Sequence, residues 1–504
     1  MKRITTSLKC WTSNHPLIFP FLAFIIPLTV RVVPELLAGP YLLGFDTQAF
    51  YVPNVLLWMH NGVNFLDFLG TAPLLYAIIL GIARSGGSMV LSIKVISPLL
   101  LALLAFSIYL FARKSISWSA PKSLFVAVLG TVYFVALRAS WDQLREEVSL
   151  VFLFVVLTLL FDRKNRSLKG YALLSLAMLA VVFSDQVGAV IMMGVVVFTL
   201  ISDLFYRRFF QAFKLTLSFL TAAIYFIVAY LTGISAVFSN LGYSNVVSPL
   251  ASWSGFTSYP SQLFNEATFF LYCFLPLLPL VIISFWKLGN PQLRSWLVVS
   301  LILLLSPISA SPYRWILMLV YPLAFYSTEA LSRLKEIKLK KLRFKLQKIA
   351  ILYLVLSTAI LSFGFMFMTA ENSFPYFSQT GVNSFIYQIP SSMLQNTISI
   401  SDCKSTVNAL QWCKNNIGSS AVLMTHTAFY GWALLILNET QVMDYQFANP
   451  SSAAQTLVHQ GLTQIYIIWW VNGKGWYGEL SLPLSFREVY QSGEIAIYRY
   501  DNSA

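Results

Sequence analysis

Arg333-Leu334-Lys335-Glu336-Ile337-Lys338-Leu339-Lys340-Lys341-Leu342-Arg343-Phe344-Lys345-Leu346-Gln347-Lys348 carries eight positive charges and one negative, and it stands between two apolar stretches, 313–331 and 349–369. A basic run between stretches of membrane length is a topology signal, held on the cytoplasmic side against anionic lipid. Working outward from it, every second turn repeats the sign. Arg113–Lys122, Asp162–Lys169, Arg207–Lys214 and Lys287–Arg294 are short and basic. The intervening turns instead collect Asp46, Asp67, Asp142, Glu146, Glu147, Asp185 and Glu266. This alternation predicts a polytopic helical membrane protein with its N-terminus inside and its C-terminal tail outside.

The apolar stretches lie at 16–37, 89–112, 121–138, 147–161, 169–184, 187–205, 212–232, 264–286, 295–308, 313–331 and 349–369. Crossing a bilayer takes about 20 apolar residues as helix, so the reading is about 11 transmembrane helices. Composition agrees: 57% of the 504 residues are hydrophobic and 11% charged, against about 25% charged in a soluble domain. The net charge of +14 belongs to the inner turns and so does not imply nucleic acid. No cleavage site follows the first stretch, which is long enough to remain as a helix.

We divide the chain into a transmembrane part, 1–370, and an extracytoplasmic α/β domain, 371–504. In the tail, Ser405–Asn416 and Ser451–His459 read as helices and Ala421–Thr425 and Gln464–Val471 as buried strands. Ser492-Gly493 reads as the turn of a hairpin between Arg487–Tyr490 and Glu494–Tyr500. Cys403 and Cys413 both fall in the tail, where an oxidising compartment permits either a disulfide or two thiols.

Ionisable groups near membrane depth are costly and mark function. Asp46, in Gly44-Phe45-Asp46-Thr47-Gln48-Ala49-Phe50-Tyr51, suits a base, a metal ligand or the N-cap of a following helix. Phe50–His60 reads as an interfacial helix anchored by Tyr51, Trp58 and His60, and Pro73–Ala83 as a surface or re-entrant segment. In Arg138-Ala139-Ser140-Trp141-Asp142-Gln143-Leu144-Arg145-Glu146-Glu147, Ser140 with Gln143 fits a capping box. That places Asp142 and Glu146 on one helical face, with more charges than capping needs. Asp185 reads as a tight outer turn or a site residue. Arg314, at an outer helix start, opposes the helix dipole and so suggests an anionic partner. Lys94 lies inside a span, snorkelling or serving the same anion.

Soluble-enzyme signatures are missing: the sequence has no Walker A, no HExxH and no paired CxxC. One GxGxxG, Gly473–Gly478, runs toward Pro483 with no helix after it, and reads as a flexible loop. Asn438-Glu439-Thr440 is a glycan acceptor if it faces outside.

An acidic first outer loop, an interfacial helix, a second acidic cluster after the third span and an α/β tail together resemble the GT-C superfamily of membrane glycosyltransferases. Gly44–Tyr51 resembles the family's first-loop acidic motif, Arg145-Glu146-Glu147 its Arg-x-Glu stretch, and Tyr313-Arg314-Trp315 its late outer arginine. Asp46-Thr47 lacks the paired acids of many members. Trp469-Trp470-Val471-Asn472-Gly473 lacks the Asp and Tyr of the oligosaccharyltransferase signature. The resemblance implies an inverting hexosyl or pentosyl transferase drawing on a dolichyl- or undecaprenyl-phosphate sugar, with a glycan, lipid or protein acceptor. It implies Asp46, Asp142 and Glu146 as catalytic residues. Arg145, Arg314, Glu147, Asp185 and Tyr51 would bind substrate, and any Mg or Mn ion would sit on Asp46. The alternatives are a transporter or flippase, a polymerase or ligase of lipid-linked glycans, and a non-catalytic receptor or assembly factor.

Overall fold

The computed structural model describes residues 17–44, 47–161, 167–231, 259–305, 312–334, 346–367, 398–445, 449–471, 473–475, 478–480 and 482–501. Asp46 and most of the opening basic run lie outside them.

Helix α1, Ile18–Leu37, is followed by a π-helical turn at Thr47–Tyr51 and three short helices, α2 Val52–Asn61, α3 Phe65–Gly70 and α4 Pro73–Arg84. The long α5, Met89–Lys114, leads to α6 Ala120–Val132, α7 Phe134–Asp142, α8 Leu144–Phe161, α9 Leu168–Ser184, α10 Gln186–Phe205 and α11 Phe209–Phe226. Next come α12 Tyr259–Phe274, α13 Leu278–Ser284, α14 Pro291–Leu304, α15 Pro312–Met318, α16 Val320–Arg333 and α17 Leu346–Phe367. Where they are described, the eleven apolar stretches are helical over most of their length. Among the described residues five helices are long and apolar enough to cross a membrane singly, and seven if each bent pair counts as one span. The count of eleven read from sequence includes stretches that form shorter helices, and 121–138, 264–286 and 313–331 each divide between two helices. The bend between α6 and α7 is 57°, and that between α12 and α13 is 91°. The second follows from Pro276, which cannot donate a backbone bond and disfavours helix in the residue before it.

Between the helices lies a large apolar core, where Phe111, Phe154 and Phe325 pack ring to ring and Trp296 adjoins Phe154, with a second cluster around Tyr51, Trp58 and Tyr76. The outward faces are apolar too: Leu91, Leu176, Phe213, Ile302 and Leu352 are exposed. Apolar both inside and outside is the pattern of a bundle solvated by lipid. The chain is an integral membrane protein.

The tail forms α18 Ile400–Asn416, β1 Val422–Thr425, α19 Thr427–Ile436, β2 Val442–Asp444, α20 Pro450–His459, β3 Ile465–Trp470, the small hairpin β4 Lys474–Gly475 and β5 Gly478–Glu479, then β6 Phe486–Ser492 and β7 Ile495–Tyr500. Strand order is β2-β1-β3-β7-β6, with β2, β1 and β3 parallel and β7 antiparallel to both β3 and β6. Every residue of β3 is buried, as expected for a central strand covered on both faces. Gly473–Gly478 carries the β4–β5 hairpin rather than an irregular loop. Cys403 and Cys413 are free, buried thiols ten positions apart on α18, a spacing that no disulfide can bridge.

The tail is seated on the first loop. Gly431 of α19 lies so close to Gln48 that an added Cβ would stand 2.6 Å from its carbonyl oxygen. On the other side of the loop, a Cβ on Gly44 (φ +91°) would stand 2.1 Å from the carbonyl oxygen of Trp141. Glycine is required at both positions for this close approach. The first loop is thus held between α19 and the end of α7.

Candidate active site

The charged segment after α7 breaks where the sequence suggested that a helix begins. Ser140 lies inside α7 and donates its hydroxyl to Leu137 O at 2.8 Å, so it does not cap. Gln143 leaves helical geometry (φ −106°, ψ 54°), and α8 starts at Leu144. Asp142 and Glu146 therefore sit on two helices across a break, not one turn apart on one face. Both are buried, as are Arg138 and Glu147. The break keeps four charged side chains at the junction instead of letting them spiral away.

Glu146 and Arg314 meet there: Arg314 Nη1 lies 3.2 Å from Glu146 Oε1. The contact lacks hydrogen-bond geometry, and neither carboxylate oxygen of Glu146 has a hydrogen-bond partner. Arg314 reaches it from the first turn of α15. Beside it, Arg145 Nη1 donates to Thr71 O at 2.9 Å, with its guanidinium 5.9 Å from the centre of the Tyr76 ring. The Arg145 amide donates to Tyr51 Oη at 3.3 Å. Tyr51 is fully buried, and Trp58 nearly so, which corrects their reading as interfacial anchors.

Asp185 joins the same cluster through space. The charges of Glu146, Arg145 and Arg314 all act on it. Its carboxylate also caps α10, Oδ2 accepting from Val187 N at 2.6 Å and Gly188 N at 3.1 Å. Glu147 feels the charges of both Arg31 and Glu146, and neither of its oxygens has a hydrogen-bond partner among the described residues.

Arg31 opens a layer that sequence reading missed. Arg31 Nη1 pairs with Glu35 Oε1 at 2.8 Å, and Lys94 Nζ pairs with Glu35 Oε2 at 2.9 Å. Arg31 also donates to Ser97 Oγ at 2.7 Å and stacks on Trp141 at 4.7 Å. Lys94 further donates to the carbonyls of Glu35 and Tyr41. Lys94 is therefore the clasp of α1 and the first loop, neither snorkelling nor awaiting an anion. The available signal was an Arg and a Glu four apart inside an apolar span, a pairing seldom tolerated at that depth without a partner.

Of the sequence candidates, the structure gathers Glu146, Arg145, Arg314 and Asp185 in one charged cluster, with Asp142 at the preceding break, Tyr51 hydrogen-bonded beneath and Glu147 next to Glu146. Asp46 is outside the described residues, yet its neighbours Gly44 and Thr47 belong to the loop clasped over Trp141. Among the described residues no three His, Cys, Asp or Glu side chains gather closely enough to ligate a metal ion.

No family model and no curated protein matches the chain. Solved structures do. The crystal structure of ArnT from Cupriavidus metallidurans in the apo state is similar with a TM-score of 0.55 and 12% identity, over 95% of this chain and 97% of that one. The fold is GT-C. Arabinofuranosyltransferase AftD from Mycobacteria shares it with a TM-score of 0.52 and 11% identity, over 95% of this chain and 40% of the longer one. The Archaeoglobus fulgidus oligosaccharyltransferase in the apo form shares it with a TM-score of 0.51 and 13% identity, over 89% and 70%. A match over 95% of the chain must include much of the tail as well as the helices, so the likeness in fold takes in the α/β sheet.

Proposed function

We propose that the chain is a membrane glycosyltransferase that moves a hexosyl or pentosyl group from a polyprenyl-phosphate donor to an acceptor hydroxyl at the outer face. The observation that carries this reading is the end-to-end likeness to ArnT. That AftD is an arabinofuranosyltransferase and the archaeal neighbour an oligosaccharyltransferase supports glycosyl transfer as the common chemistry.

The site supports a division of roles. The acceptor oxygen attacks the anomeric carbon from the face opposite the phosphate. The bond from that carbon to the phosphate oxygen breaks with its electron pair, and the configuration inverts. Asp46 takes the acceptor proton. Negative charge grows on the departing phosphate, and guanidinium groups aimed at it stabilise that charge. Arg145 and Arg314 fill that role. Arg314 reaches it by exchanging its imperfect contact with Glu146 for a bidentate hold on phosphate. Glu146, so released, accepts from the sugar hydroxyls together with Asp142. The basic turns support an outward-facing site, with the tail outside.

A nanodisc assay tests the donor class. The purified protein receives radiolabelled undecaprenyl-phosphate hexose or pentose, or the matching nucleotide sugar. Release of polyprenyl phosphate from the lipid donor, lost in Asp142→Asn, supports the reading. Turnover of the nucleotide sugar alone, or transport of the lipid without bond cleavage, refutes it.

A further inference from the structure

Helix α12 carries Gln262, Asn265 and Glu266 at spacings of three and four, which places them on one face. All three are buried, with 0%, 3% and 4% of their surface exposed. Gln262 Nε2 donates to Glu266 Oε1, and Asn265 Nδ2 donates to Ser261 O at 2.9 Å. These bonds fix the orientation of both amides, since a flip would set oxygen against oxygen. What remains is three acceptors without a donor: Gln262 Oε1, Asn265 Oδ1 and Glu266 Oε2 have no hydrogen-bond partner among the described residues. Buried acceptors left unmet cost roughly 1–3 kcal/mol each, and one helix face with three of them calls for a ligand that brings donors.

Glycosyl acceptors bring them as hydroxyls. Helix α12 packs against α15, which carries Arg314. The face therefore lies beside the arginines proposed to hold phosphate.

We infer that Gln262, Asn265 and Glu266 form the acceptor-side subsite, receiving hydrogen bonds from the hydroxyls of a saccharide. This inference rests on the proposed transfer reaction for the word acceptor, but saccharide binding can be measured without turnover. Saturation-transfer NMR on the nanodisc-embedded protein with a panel of methyl glycosides of hexoses and pentoses provides the test. Wild type should show transfer from at least one glycoside. Gln262→Met and Asn265→Leu should each weaken that binding about tenfold, the loss of one hydrogen bond or slightly more, with unfolding transitions near wild type. Glycoside binding with no glycosyl transfer from any lipid donor would retire the reaction and keep the subsite. No binding by wild type would overturn the subsite, as would equal binding in Gln262→Met and Asn265→Leu. So would a Ca2+- or Na+-induced change in tryptophan fluorescence, without sugar, that Glu266→Gln abolishes.

Discussion

Glu35 is the residue on which the buried ion layer turns, and its replacement by Gln gives the sharpest test of that layer. One carboxylate serves two cations, Arg31 at 2.8 Å and Lys94 at 2.9 Å, with Arg31 and Glu35 almost wholly buried and Lys94 mostly so. Breaking a buried pair from one side costs about 3–5 kcal/mol, chiefly because the other charge is stranded. Here two cations are stranded, yet each keeps neutral partners: Ser97 and Trp141 for Arg31, two carbonyls for Lys94. We therefore expect the low end, about 3 kcal/mol, or about a hundredfold in the unfolding equilibrium. Lys94→Met leaves the Arg31–Glu35 pair intact and should cost less, about 1–2 kcal/mol. In the double variant one cation is gone when the carboxylate is neutralised, so its loss should fall short of the sum by about 1 kcal/mol or more. Unfolding in mixed micelles of rising SDS fraction, followed by tryptophan fluorescence, measures all four states. A Glu35→Gln variant within about 0.5 kcal/mol of wild type, or strict additivity, would refute the network.

Three further outcomes follow from other parts of the structure. His426 Nδ1 accepts from Ala428 N at 3.1 Å to cap α19, and burial lowers its pKa from 6.5 to about 3. The unfolded chain then binds more protons between those values, so the tail should lose stability as pH falls from about 6.5 toward 3. His426→Asn keeps a cap and should flatten that dependence; an unchanged slope in acid titration of tail unfolding would contradict it. Gly431→Ala should prise the first loop from α19 and speed maleimide labelling of an Ala49→Cys reporter about tenfold, given about 1–3 kcal/mol of overpacking; equal rates would show that the contact is soft. Arg314→Lys should raise the donor KM about tenfold by losing a bidentate hold, and wild-type donor kinetics would remove Arg314 from the phosphate site.

How legible all this was in the sequence varied with the range of the interaction. Apolar stretches and charge alternation are local, and the eleven stretches are helical over most of their described residues. Their breaks were not legible at Tyr133 or Gln143, because nothing local at either position forbids helix. Ser140 misled for the same reason, since a hydroxyl that fits a cap also bonds the preceding turn. In the tail, β1, β3 and the final hairpin stood out as apolar runs bounded by turns, whereas β2, three residues long, carries too little pattern. Arg145, Glu146 and Arg314 were visible as charges in excess at helix starts. The Glu146–Arg314 contact joins positions 168 residues apart, and only the fold brings them together. Gln262 and Asn265 drew no attention because amides are common at helix starts; what marks them is burial without partners.

The most direct test of the account is a structure of the protein in nanodiscs with a phosphonate analogue of the polyprenyl-phosphate sugar, whose carbon bridge cannot be cleaved by transfer. The account predicts phosphonate oxygens within about 3 Å of both Arg145 and Arg314, with Glu146 turned from Arg314 toward the sugar. Phosphonate bound elsewhere, with the Arg314–Glu146 contact still in place, would contradict it.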